Sequence, residues 1–417
     1  MVHLASAVAI GLTGLTAIVS AHPGHDVRAE AAERAAFLQS APVHSRSLAQ
    51  CASHLQRRGH HSRNVARRHM AVKNIRRRLG LESTTHYLKA RSADSGLDIS
   101  HHSNLTGVDY STDPDVLFGT DATCILGPDV TQGPYYVTGE LVRENIAESQ
   151  DGVPLYMDIQ LINTNTCEPI PEIYMDAWHC NSTVSKLSTP SITVSQYEQF
   201  HSRRSSQGVY SGIVAHGNGN SDDDTNLNTT FHRGVQKSNG DGVVQFQTTF
   251  PGHYTGRATH IHVLTHPANE TQVLANGTIT GLYTTHSSHV GQIFFDQDLI
   301  SAVEEVAPYT TNTQVLMTNA DDGILGEELA TIDPFMEYVY LGDDVSDGIF
   351  AWISVGIDPT KDTTVTPAAY YTEEGGVENE NAGGPGGGPG GGPGGGPGGG
   401  PPPPGSRPTT SATPLAK

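Results

Sequence analysis

From Cys124 to about Gly348 the chain is built of short runs rich in β-branched and aromatic residues: LYMDIQLI, EIYMDAWH, GVVQFQTTF, THIHVLTH, VGQIFFD and TQVLMT. Turn clusters separate them. SNGDGVV holds both Asn-Gly and Asp-Gly, strong signals for a tight turn or hairpin. Long helical periodicity is absent, and only DLISAVEEVAPY reads as a short helix. This alternation restricts residues 121–350 to an all-β fold, and we expect a β-sandwich core with short helices.

The flanks have other textures. Residues 1–21 carry an apolar run that ends in Val-Ser-Ala, a small-residue cleavage site, and read as a secretory signal peptide. Residues 22–95 are rich in Ala, Arg and His and contain dibasic pairs, which predicts either a cleaved basic helical pro-segment or a retained helical arm. Residues 96–120 are Ser/Thr/Asp/Gly-rich and are expected to be a linker. Residues 375–417 contain a Gly-Gly-Gly-Pro repeat of period four, which excludes collagen and predicts a disordered tail.

Secretion agrees with the other signals. Four cysteines, Cys51, Cys124, Cys167 and Cys180, allow three pairings that the sequence does not choose among. Five Asn-X-Ser/Thr sequons, at Asn104, Asn181, Asn228, Asn269 and Asn276, predict glycans. Residues 1–100 hold 14 basic against 6 acidic residues, and the remainder 10 against 38. So acidic a body argues against nucleic acid or an anionic membrane as partner.

The chemistry concentrates in residues 250–263, FPGHYTGRATHIHV. Side chains at i and i+2 of a strand share one face. Thr-His-Ile-His-Val therefore sends His260 and His262 to one side and Ile261 to the other. Alone, this pattern is also that of ordinary half-buried strand histidines. Tyr254 precedes it in a turn that could fold its phenol back over the imidazoles, and GVYSG at 208–212 offers Tyr210 as a fourth donor.

Five pieces in this order resemble the intradiol ring-cleavage dioxygenases, especially secreted fungal members: GPYYV (133–137), DAWHCN (176–181), GVYSG (208–212), residues 239–263 and GQIFF (291–295). The resemblance covers somewhat over half the chain. It implies a non-haem Fe(III) bound by Tyr210, Tyr254, His260 and His262. It implies catalytic roles for Tyr254 as displaceable ligand and base, and for Arg257 and Gln292. Pro134 and Tyr135 would wall the substrate pocket, and Trp178 would be packing. The implied reaction is cleavage of a catechol-type aromatic by O2, between its hydroxylated carbons, to a muconate-type diacid. Residues 181–207 insert a Ser/Thr-rich loop before Tyr210, which leaves Tyr197 as the alternative ligand.

The donor types suit that implication. Two phenolates are hard anions that favour a trivalent ion, and two neutral imidazoles add donors without charge. Arg257 also fits electrostatic stabilisation of charge that develops on the substrate. Two other readings share the residues: a secreted, non-catalytic module binding phenols or metal, and a His/Tyr copper or zinc protein.

Overall fold

The computed structural model describes residues 48–81, 112–119, 123–125, 135–183, 210–213, 224–267, 269, 271–279, 285–329, 333–372 and 375–379. All lie in the first of two units of the chain, Met1–Gly386; the second, Gly387–Lys417, falls outside the described residues. The signal peptide, Pro134, Tyr197 and the Gly/Pro repeat are likewise outside them.

Fourteen strands are described. They begin with β1 (Thr123–Ile125), β2 (Val137–Thr138), β3 (Pro154–Asn163), β4 (Tyr174–Trp178), β5 (Arg233–Lys237), β6 (Val243–Thr249) and β7 (His260–His266). They continue with β8 (Thr285–Ser287), β9 (His289–Phe294), β10 (Glu337–Tyr340), β11 (Ile349–Ile357), β12 (Thr363–Val365), β13 (Ala369–Thr372) and β14 (Gly375–Glu378). One sheet runs β1-β11-β3-β6 with β10 beside β11; a second runs β5-β4-β7-β9. The sandwich expected from the alternating runs is the observed fold. The first sheet is mixed, because β3 and β11 pair in parallel while β6 is antiparallel to β3. TQVLMT is the exception among the expected strands. Residues 313–318 form none, and Val315 is exposed to solvent.

Period-two alternation builds the core. Leu155, Met157, Ile159 and Leu161 of β3 face Met175 and Ala177 of β4 and Ile261 and Val263 of β7 in one buried cluster. Ile349, Ala351, Ile353 and Val355 join them from β11. The helix read in DLISAVEEVAPY is Gln297–Glu304, capped by the Asp296 carboxylate accepting from Leu299 N.

The outer face of the first sheet is covered as well. Helices α1 (Ala52–Arg57) and α2 (His60–Leu79) belong to the basic arm, and Val65, Val72 and Ile75 of α2 pack on Val339, Phe350 and Trp352. Arg67 reaches Asp158 on β3 through two hydrogen bonds, and Arg68 is buried with its guanidinium over the Trp352 ring. A Cys51–Cys167 disulfide ties the arm to the turn after β3. Cys180 is a buried free thiol.

Two expected boundaries are corrected. Part of the linker assigned to 96–120 is core: Pro114–Phe118 forms α3, and Leu117 and Phe118 are buried against the same cluster. Pro at its first turn and the Asp113 cap start that helix, and composition alone hides both. Residues 375–378, assigned to the tail, are a strand. β14 pairs with β13, and β13 with β2, so the described chain is in strand to Glu378. No helix among the described residues is long and apolar enough to cross a membrane.

Candidate active site

The site lies on the outer face of the second sheet, opposite the core. β7 alternates: Ile261 and Val263 enter the core, while His260 and His262 project to the other side and are buried there. Cross-strand register places Trp178 of β4 and Gln292 of β9 on either side of His262. The Trp178 and His262 rings stack at 5.0 Å and 3°. His260 Nδ1 donates to the Ala258 carbonyl (2.6 Å), which fixes the tautomer and leaves a lone pair on Nε2. That Nε2 lies 3.1 Å from His262 Nε2 and 3.4 Å from the Tyr254 hydroxyl.

The turn before β7 brings Tyr254 back over the strand. Gly252 permits it, because a Cβ there would stand 2.2 Å from the Asn181 carbonyl oxygen. Gly256 adopts φ 100°. The segment after β9 clamps this turn. Glu304 accepts from His253 Nδ1 (2.7 Å), and Gln314 Oε1 accepts from the Thr255 hydroxyl (2.8 Å).

Tyr210 arrives from elsewhere in the chain. It is buried, stacks on Tyr135 at 4.4 Å and stands edge-on to Tyr254 at 6.0 Å. Arg233 fixes this group: its Nε donates to Ser211 O (2.9 Å), its Nη2 to Tyr135 O (2.6 Å) and its Nη1 to Glu140 (3.1 Å). Its guanidinium lies 5.7 Å from the centre of the Tyr210 ring. Arg257 is fully buried and donates from Nη2 to Gln292 Oε1; the Gln292 amide nitrogen has no hydrogen-bond partner.

The structure thus brings Tyr210, Tyr254, His260, His262, Arg257, Gln292 and Tyr135 onto one face. Trp178, read as packing, is the surface on which His262 rests. Arg233, Glu304, Gln314 and Asp322 were missed. They lie in motifs with no chemical signature, and only the fold brings them to the site.

The donor set suits a metal ion. Two ligands about 2.0–2.1 Å from one ion are about 3 Å apart at ordinary coordination angles, close to the spacing of the two Nε2 atoms. Among the described residues no group of three His, Cys, Asp or Glu is placed to hold a metal ion; the further donor beside the imidazoles is the Tyr254 phenol. Burial pushes the Tyr210 and Tyr254 phenols well above their ordinary pKa, with Arg257 nearby opposing it. Ionisation there needs a strong cation, which a trivalent ion supplies.

No protein-family model and no curated protein matches the chain. Solved structures do. The neighbours are intradiol ring-cleavage dioxygenases. An intradiol ring-cleavage dioxygenase from Tetranychus urticae is 26% identical, covers 57% of this chain and 96% of its own, and has a TM-score of 0.39. The dioxygenase domain of a dioxygenase carbohydrate-binding protein fusion from Streptomyces sp. SirexAA-E is 19% identical, with 55% and 97% covered and a TM-score of 0.29. Catechol 1,2-dioxygenase from Pseudomonas arvilla C-1 is 15% identical, with 55% and 61% covered and a TM-score of 0.29. With TM-scores this low, function is a matter for the site's own side chains.

Proposed function

We propose that this chain is an extracellular non-haem Fe(III) intradiol dioxygenase. It cleaves catechol-type aromatics between the two hydroxylated carbons with O2 and gives muconate-type diacids. The observation that carries this reading is the convergence, on one buried sheet face, of two phenols, two imidazoles and the Arg257–Gln292 pair. Secretion is supported by the leader-like residues 1–21 and by a disulfide, a bond that persists in oxidising compartments.

Tyr210, Tyr254, His260 and His262 would hold the iron. When bound, Fe(III) supplies a Lewis acid that draws charge from the catechol oxygens and activates the ring toward O2. The chain's own residues do the rest. The Tyr254 oxygen, on the turn before β7, would accept a substrate proton when present as phenolate. Tyr210, held by Arg233 through Ser211 and stacked on Tyr135, stays in place. Arg257 presents fixed positive charge toward anionic oxygen, and the free Gln292 amide N–H adds a donor. Burial of all these groups strengthens each interaction by excluding water.

Iron analysis and a visible spectrum of the secreted protein test the reading, followed by anaerobic catechol addition and product identification after O2. A tyrosinate charge-transfer band, a shift on catechol binding and a diacid product are expected. Colourless, iron-free protein that leaves catechols intact would refute it. Coloured, catechol-binding protein without turnover would support the non-catalytic module instead.

A further inference from the structure

Arg257 is fully buried, and a guanidinium there has to be both neutralised and aimed. Its Nε donates to Asp322 Oδ2 at 2.9 Å. The same oxygen accepts from Ala258 N at 2.8 Å. The other carboxylate oxygen accepts from Ile324 N (2.9 Å) and Leu325 N (3.2 Å) at the start of helix Gly323–Leu329. Asp322 is itself buried, so four donors lock one carboxylate in one orientation.

Both consequences reach the site. With Nε held, the far end of the Arg257 fork can meet Gln292, and it does. With Ala258 N held, the Ala258 main chain is fixed, and its carbonyl receives the His260 Nδ1 proton. The imidazole that would ligate the metal is therefore oriented by an acid 62 positions further along the chain.

We infer that Asp322 is a positioning residue for both halves of the site: it aims Arg257 at the reacting region and, through Ala258, sets the ring of His260. This rests on the dioxygenase reading. Outer partners of ligating histidines change metal affinity or activity by about 10- to 100-fold when removed. The two routes are separable, because one ends on Arg257 and the other on a ligand.

The experiment uses full-length iron-loaded protein carrying Asp322→Asn, Arg257→Ala or both, with Asp322→Glu as the second variant should the first not fold. Four quantities are read: kcat and KM for catechol, iron lost to a chelator over time, and the visible spectrum of the resting protein. Asp322→Asn is expected to lower kcat about 10- to 100-fold with a small change in KM, and to speed iron loss by a similar factor. In the Arg257→Ala background it should cost less than about threefold in kcat, while the faster iron loss and the spectral shift persist. Independent, multiplicative rate losses, or iron retention unchanged in a folded Asp322 variant, would overturn the inference and leave the dioxygenase reading standing. A wild-type protein with neither iron nor turnover would overturn both.

Discussion

His262 and Trp178 face each other across the β4–β7 pair with their rings parallel to within 3°. The indole is a flat floor for the imidazole, and it leaves the ring edge, with Nε2, directed at His260. Trp178→Leu removes that floor and opens a cavity. A stability loss of about 2–4 kcal/mol is expected in urea titrations, with weaker iron retention. Trp178→Phe should recover most of the retention because it keeps an aromatic face.

The two tyrosines should not be equivalent. Tyr254→Phe is expected to keep iron yet lose about 10²–10⁴-fold in turnover, since a proton acceptor is gone. Tyr210→Phe should weaken iron retention and move the charge-transfer band. Iron content, anaerobic spectra and rates for both variants check this. A Tyr210→Phe protein indistinguishable from wild type would return Tyr197 to candidacy.

Three buried histidines should weaken stability as pH drops below about 6.5, against the opposite effect of Glu140 and Asp176, whose carboxyl pKa values burial raises. Burial lowers the pKa of His179 to about 4, and it also lowers those of His289, to about 3, and His232. Each is more basic in the unfolded chain, so below about 6.5 the unfolded state binds protons that the folded state refuses, and His179 alone contributes about 3 kcal/mol of loss by pH 4. Asp158 acts in the same direction at lower pH. Burial would raise its pKa, but the Arg67 hydrogen bonds and the Arg68 charge outweigh this and hold it down, so its contribution is lost as pH falls through the carboxylate range. Urea midpoints at pH 7.5, 6 and 5 measure the trend; a flat series would contradict it.

The basic arm should resist removal. Arg57 and Arg58 are exposed, whereas Arg68 and Arg76 are buried under the helix they belong to. A dibasic-specific protease is expected to cut folded protein first at Arg57-Arg58, and the released fragment should separate only after reduction of Cys51–Cys167. Cys51→Ser should cost about 2–5 kcal/mol. Gel mobility with and without reductant gives the answer.

Truncation should discriminate sharply between two nearby end points. Stopping after Asn379 removes the Gly/Pro repeat, which has little apolar surface to bury, and should leave turnover unchanged. Stopping after Ala368 removes β13 and β14, including Ala369 from the cluster that holds Tyr210 and Tyr254, and should abolish it.

What was legible in the sequence was whatever is local. Strand period, the His-X-His face, the Tyr254 turn and the short helix at Gln297–Glu304 all follow from neighbours in the chain. Contacts set by tertiary packing were not legible. Asp322 sits in a segment to which the sequence reading assigns no element, and Phe118 in one read as linker, yet each is buried against residues more than 60 positions away. The sequon at Asn181 fails similarly: its side chain is buried, whereas Asn228, Asn269 and Asn276 are exposed.

β7 interleaves packing and chemistry at single-residue spacing, and this makes the strand sensitive to frame rather than to identity. Ile261 and Val263 can be exchanged for other apolar residues and the imidazoles still emerge on their side. Gain or loss of one residue within 258–260 would instead rotate every downstream side chain by half a turn, burying His260 and His262 in the oil and presenting isoleucine to the substrate. Single-residue insertions and deletions, harmless in most surface turns, are the changes this strand can least absorb.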